Sequence, residues 1–281
     1  MTRKNSKVIV INGIQRGGTN VIWNILQSHP QVCSPLRETG RILHESRPAD
    51  LLWRYILNYL PGNLMSKILG NWADKQFYNY KMNAIFHDED RYKYEDTVYV
   101  ESEVQQSVLC IKSVNEDIML TDFFSEMYSD CYFVGVVRNG YALCDSWIRR
   151  GRSVKEAAYY YSFYVDKMIN DSQKYKNYKL LKLEDALSNT FGTASEIYSF
   201  AHLNPVRLDK IRLKSKKVFN HAGIHEARFG KEEKKYWFSE KNIAHILDPQ
   251  ISQIQADNLS LRDKLLFEKN AITTLRYFNY A

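Results

Sequence analysis

Four short apolar runs limit what this chain can fold into: Lys7–Asn12 (KVIVIN), Val108–Lys112 (VLCIK), Cys131–Val137 (CYFVGVV) and Tyr178–Leu183 (YKLLKL). Each is too short for an ordinary helix and is bounded by polar residues, so each reads as a strand. Their hydrophobicity is nearly continuous rather than alternating, the pattern of strands covered on both faces in a parallel sheet. Helical periodicity falls between or after them, over Thr19–Ser28, roughly Glu116–Tyr128, Tyr141–Arg150 and Lys155–Asn170. Strands alternating with helices predict an α/β fold of three layers around a central parallel sheet. In such folds ligands bind at the carboxyl ends of the strands.

Two regions depart from the alternation. Residues 48–107 are mostly helical in propensity and dense in aromatics: Trp53, Tyr55, Tyr59, Trp72, Phe77, Tyr78, Tyr80 and Phe86. They are read as an insertion over the sheet edge, either shaping an acceptor pocket or packing as an ordinary cap. The tail from about Asn242 to Ala281 is also predicted to be helical. No repeat, low-complexity tract or Pro/Gly/Ser linker divides the chain, so residues 1–281 are expected to form a single domain.

Composition narrows the function classes. Net charge is +7, with Lys and Arg interspersed among acidic residues rather than clustered. That fits a basic cleft for a small polyanion better than a nucleic-acid surface. Cys33, Cys110, Cys131 and Cys144 have no metal or redox spacing and lie mostly in apolar segments, as buried thiols do in a reducing compartment. Met1–Lys7 does not resemble a signal peptide, and no apolar stretch approaches the ~20 residues that span a bilayer. A soluble, cytoplasmic protein is expected.

The first run opens the segment KVIVINGIQRGGTNVIWNILQSHP, a strand, a tight loop and a helix start. Gly17 and Gly18 permit positive φ and close backbone approach. Thr19 and Asn20 begin the helix, where free N–H groups and the helix dipole attract an anion. Gly13–Thr19 is P-loop-like, but the lysine of G-x-x-x-x-G-K-[ST] is missing, since Thr19 directly follows Gly18. With no evident acid for Mg²⁺ on a second strand, ATP or GTP hydrolysis is disfavoured. Arg16 places a positive charge in the loop, suited to a donor with an anionic transferred group and no metal. A second polar cluster follows the run CYFVGVV. Arg138 and Ser146 stand eight residues apart, with Arg150 four further on, sharing a helix face with Ser146. Two guanidinium forks and a hydroxyl suit a phosphate monoester.

Together these segments resemble the sulfotransferases that use 3′-phosphoadenylyl sulfate. In that family a loop [K/R]-[S/T/G]-G-T-[T/N] cradles the 5′-phosphosulfate, matched here by Arg16, Gly17, Gly18, Thr19 and Asn20. A later V-R-[D/N]-x-R/Y-x(4)-S segment holds the 3′-phosphate, matched by Arg138 and Ser146. The resemblance spans about residues 7–190, and Ser28-His29-Pro30 belongs to it. His29 reads as structural. The nearest subgroup is the tyrosylprotein and Golgi-carbohydrate type, in a soluble, bacterial-like form: Arg37-Glu38-Thr39-Gly40-Arg41 resembles G-E-E-T-R and Cys110-Ile111-Lys112-Ser113 resembles C-N-K-D. The histidine of the cytosolic K-T-H motif is absent at Lys112-Ser113-Val114, and Leu183 replaces the aromatic of a Y-E-D-L element.

The resemblance implies in-line sulfuryl transfer without a metal. Glu38 is the expected general base, with His44, His87, His221 and His225 as alternatives. Arg16 and Lys112 would stabilise charge on the sulfuryl oxygens and leaving phosphate. Gly17–Asn20 would hold the 5′-phosphate, and Arg138, Ser146 and Arg150 the 3′-phosphate. Asn220, Arg228 and Lys235, in a basic loop, are further candidate donor contacts. The acceptor is left open among a small metabolite, a glycan and a tyrosyl peptide, through a hydroxyl or amine. The rival readings are a P-loop kinase or nucleotidase acting on ATP and a catalytically inactive nucleotide-binding module.

Overall fold

In a computed structural model, residues 4–44, 61–83, 85, 92–94, 97–204, 208–219 and 225–281 are described. The four apolar runs form β1 (Lys7–Gly13), β5 (Val108–Val114), β6 (Asp130–Val137) and β7 (Tyr178–Lys182). With the short β2 (Val32–Cys33) they make one five-stranded sheet in the order β2-β5-β1-β6-β7, parallel throughout. The order reverses at β1, whose neighbours β5 and β6 lie on opposite sides. Three adjacent strand ends therefore share one crevice, the position where an open α/β sheet binds ligands.

Alternation of side chains explains why the runs had to be apolar throughout. Val8, Val10, Leu109, Ile111 and Phe133 face one core, and Ile9, Ile11, Cys110, Val134 and Val136 face the other. Both sets are buried, and the buried polar residues of these strands, Asn12 and Ser113, sit near their carboxyl ends, where each has a side-chain partner. One layer contains α1 (Thr19–Ser28) and the later pair α8 (Leu183–Ser188) and α9 (Thr190–Phe200). After β2 come α2 (Thr39–Leu43), α3 (Gly62–Asn83), the hairpin of β3 (Tyr92–Tyr94) and β4 (Thr97–Val98), and α4 (Glu101–Gln106). The other layer contains α3, α5 (Thr121–Met127), α6 (Gly140–Ile148) and α7 (Val154–Lys174), the last started by a Ser153–Glu156 capping box. The tail supplies α10 (Glu240–Ile246), α11 (Ile251–Asp257) and α12 (Leu261–Tyr277), and α12 packs on α7.

Several elements differ from expectation. Glu116–Tyr128 is a 3₁₀ turn over Asn115–Leu120, entered through Asn115 at φ 56°, followed by α5. The helix expected to reach Arg150 ends at Ile148. Three antiparallel ribbons were not foreseen among the described residues: the β3–β4 hairpin within the insertion read as helical, β8 (Lys210–Lys214) with β11 (Lys235–Ser239), and β9 (Lys217–Phe219) with β10 (His225–Ala227). Strand β8 is stapled to α1, whose buried Ser28 and Asn24 oxygens accept the N–H groups of Arg212 at 2.8 Å and Lys214 at 3.1 Å. In the insertion, Phe77 is core packed on Phe124, while Trp53, Tyr55, Tyr59 and Phe86 lie outside the described residues. All four cysteines are buried and unpaired, and among the described residues no helix is long and apolar enough to cross a membrane.

Candidate functional site

The loop leaving β1 is built from two backbone features. Gly17 closes a turn by donating its N–H to Ile14 O at 2.8 Å, which turns the following amides toward the crevice. Gly18 then takes φ 95° as the N-cap of α1, with Leu183 so close that an added Cβ would sit 2.4 Å from its Cδ1. No side chain caps α1 and no acidic residue occupies its first turn. Its opening N–H groups have no intrahelical acceptors, and the helix dipole adds partial positive charge there. Arg16 also lies in the left-handed region, at φ 72°, where a non-glycine residue is strained by ~1–2 kcal/mol. Asn115 fastens the loop by accepting the Gln15 N–H at 2.9 Å, and Trp147 does so by donating to Gln15 O at 3.3 Å.

The end of β6 carries the second cluster. Arg138 is buried, and each nitrogen of its guanidinium has an acceptor: Nε on Ser252 Oγ at 3.1 Å, one terminal nitrogen on Arg16 O at 3.1 Å and the other on Gln255 Oε1. The fork thus ties the strained loop to α11. Ser146, also buried, accepts Arg16 Nε at 3.4 Å. Glu184 fixes the turn between Arg138 and α6 by accepting Asn139 N–H at 3.1 Å, and is itself held by Tyr280 O–H at 2.7 Å. Burial pulls the Arg138 pKa down to about 10, with Arg16 and Arg149 adding repulsion and Glu184 opposing it. Arg16 is likewise lowered, by burial first and then by the charges of Arg150 and Arg149. Arg149 is ion-paired with Asp145 at 2.7 Å. Arg150 is exposed in the turn beyond α6, so its link to the cluster is through charge rather than a shared helix face.

The end of β5 carries the third group. Lys112 Nζ lies 2.9 Å from Glu38 Oε1 and donates to Asn20 Oδ1 at 2.7 Å. It therefore bridges the N-cap of α2 and the first turn of α1, beside the Trp23 ring at 5.8 Å. Thr39 and Gly40 fix the start of α2: Thr39 Oγ1 accepts Ser113 Oγ–H at 3.1 Å, and the Gly40 N–H donates to Asp117 Oδ2 at 2.7 Å. Arg16, Lys112 and Arg138 thus surround one loop, with Glu38 as the carboxylate at its rim.

No protein-family model and no curated protein matches the chain. Solved structures do. The sulfotransferase domain from the Synechococcus PCC 7002 olefin synthase aligns with a TM-score of 0.51 at 15% identity, over 96% of this chain and 96% of that domain. The sulfotransferase domain from the curacin biosynthetic pathway aligns with a TM-score of 0.52 at 12% identity, over 97% of this chain and 98% of that one. The chain has the fold of these sulfotransferase domains.

Within that fold the expected residues Arg16, Gly17, Gly18, Thr19, Asn20, Lys112, Arg138, Ser146 and Glu38 ring the carboxyl ends of β5, β1 and β6. His29 is buried, contacts Asn204 O at 3.0 Å through Nε2, and has its pKa lowered by burial. His44 ends α2, whereas His87, His221 and Asn220 lie outside the described residues. Arg228 donates to Ile246 O at 3.0 Å, and Lys235 lies in β11. Ser252, Gln255, Tyr280, Asn115 and Asp117 were not anticipated, and Glu184 entered only as part of the segment resembling Y-E-D-L, with no role of its own. Only Glu184 and Asp117 carried a local signal, as acids next to a strand end.

Proposed function

We propose that the protein moves a sulfuryl group from 3′-phosphoadenylyl sulfate to a hydroxyl (or amine) of an acceptor. The observation that carries this reading is the pairing of two anion-receptive corners across β1. One is the uncapped start of α1 at Gly18; the other is the buried Arg138 fork, linked to the buried Ser146 through Arg16. Arg16 joins them, touching Ser146 with its side chain and Arg138 with its carbonyl. A nucleotide with an anion at both its 5′ and 3′ ends matches two corners; AMP or ATP uses only one. The resemblance of Arg16–Asn20 and Arg138/Ser146 to the family motifs supports the same donor. The closeness to the tyrosylprotein and Golgi-carbohydrate subgroup rests on the Arg37–Arg41 and Cys110–Ser113 segments alone.

In this mechanism the amides of Gly18, Thr19 and Asn20 hold the 5′-phosphate, with Gly17 shaping the turn and the Thr19 hydroxyl adding a donor. Arg138 and Ser146 hold the 3′-phosphate, with Arg150 contributing charge. The acceptor oxygen attacks sulfur in line, forming its S–O bond as the S–O bond to the 5′-phosphate breaks. Glu38 takes the acceptor's proton, and 3′-phosphoadenosine 5′-phosphate leaves. Arg16 and Lys112 stabilise negative charge on the sulfuryl and bridging oxygens, a contribution of ~10²–10³ in turnover for one preorganised donor. Lys112 is already in place, since Glu38 and Asn20 hold its ammonium between base and loop.

The test is transfer measured by mass spectrometry over a panel of phenols, sugars, small alcohols and tyrosyl peptides, with the donor supplied as 3′-phosphoadenylyl sulfate or as Mg²⁺-ATP. Gain of one sulfuryl mass on an acceptor, in the presence of a chelator, supports the proposal. Phosphoryl transfer from Mg²⁺-ATP alone would replace it with the kinase reading.

A further inference from the structure

We infer that Asp117 is a positioning residue for sulfuryl transfer, holding the start of α2 so that Glu38 stays against Lys112. The inference rests on Glu38 being the proton acceptor proposed above. Helix α2 has only five residues, and Glu38 is its N-cap. A helix this short has little stability of its own, because nucleation is costly and few internal bonds follow. Something outside it must set where Glu38 sits.

Two contacts do so, both from the chain segment that carries Lys112. Ser113, next to Lys112 on β5, donates to Thr39 Oγ1 at 3.1 Å. Asp117, four residues further along in the 3₁₀ turn, accepts the Gly40 N–H at 2.7 Å. Thus Lys112, Ser113 and Asp117 engage Glu38, Thr39 and Gly40 in order, like rungs between two short segments. The carboxylate lies directly over Gly40: a Cβ there would be 2.7 Å from Oδ2 and 3.0 Å from Oδ1. A glycine is needed for that approach.

Asp117 is buried, and an acid at such a site is costly unless it accepts a hydrogen bond. Burial raises its pKa to about 7, helped by Glu116 and Glu38 and opposed by the amides of Gly40 and Val114. From α7, Tyr164 also faces this acidic group. Nothing in the proposed chemistry needs Asp117 to meet the acceptor. Its geometry is that of a strut.

The experiment compares Asp117→Ala, Asp117→Asn and Gly40→Ala by steady-state kinetics, with 3′-phosphoadenosine 5′-phosphate binding as a check that the donor site is intact. Asn retains an oxygen for the Gly40 amide; Ala does not. Gly40→Ala displaces the carboxylate without touching Asp117, so it answers the question even if Asp117→Ala does not fold. Misplacing a reacting group by about 1 Å costs on the order of 100-fold. The expected result is a kcat loss of about 10- to 100-fold in Asp117→Ala and Gly40→Ala, with nucleotide affinity within about threefold and recovery in Asp117→Asn. Wild-type kcat in folded Gly40→Ala, or equal losses in the Asn and Ala variants, would overturn the inference. Wild-type turnover in Glu38→Gln would instead remove the base assignment, and is read separately.

Discussion

Replacing Arg138 with lysine separates charge from geometry at the proposed 3′-phosphate corner. Arg138 has acceptors at all three nitrogens, two from α11 and one from the Arg16 carbonyl. A lysine keeps one positive charge but cannot span three directions, and it loses the planar fork that engages phosphate. One charge-assisted hydrogen bond is worth ~1.5–3 kcal/mol, and each ~1.4 kcal/mol is tenfold in affinity. Arg138→Lys should therefore weaken 3′-phosphoadenosine 5′-phosphate about 10- to 100-fold, while AMP, which lacks the 3′-phosphate, changes by less than about threefold. Titration calorimetry with both nucleotides on both proteins gives the four constants, and a thermal melt shows whether the fold survives loss of the α11 contacts. Equal weakening of both nucleotides, or unchanged selectivity, would refute the role assigned to Arg138.

Three further outcomes follow from the same geometry. Gly18→Ala combines a φ of 95° with a Cβ 2.4 Å from Leu183, so urea unfolding should show a loss of about 2–4 kcal/mol and weaker nucleotide binding; a neutral result would mean the turn is not constrained as described. Ser252→Ala removes one anchor of the Arg138 fork and should weaken 3′-phosphoadenosine 5′-phosphate about 3- to 10-fold in a binding titration, with AMP unaffected. Asp117 sets a pH dependence of stability. Its pKa is about 7 in the folded protein, above the ordinary 3.8, so the folded state binds the extra proton. Its favourable contribution is complete below about pH 4 and is lost as pH rises toward about 7, by at most about 1.4 kcal/mol per unit. Relative to Asp117→Asn, wild type should lose stability over that interval in urea titrations, and parallel curves would contradict the raised pKa.

The strands were legible because a sheet buried on both faces leaves no choice of residue: Val8 to Ile11 are all fully buried, alternating between two cores. Strand β8 was not, since KIRLK reads as polar; its Ile211 and Leu213 enter the core while α1 supplies acceptors for its N–H groups. The glycine-rich loop was legible from composition and position, as was the placing of Arg138 at the end of β6. What holds Arg138 was not. Ser252 and Gln255 reach it across more than a hundred residues, and nothing local to α11 distinguishes them from a solvated helix face. Asp117 looked like one more acid at a helix start. The fold brings the Gly40 amide of α2 onto its carboxylate, and that contact gives it a role in placing α2.

A crystal structure of the protein with 3′-phosphoadenosine 5′-phosphate tests the donor site most directly. The expected result is a 5′-phosphate on the amides of Gly18, Thr19 and Asn20, with the 3′-phosphate between Arg138 and Ser146. A nucleotide bound away from β1, or one whose 3′-phosphate points to solvent, would contradict sulfuryl transfer from this donor.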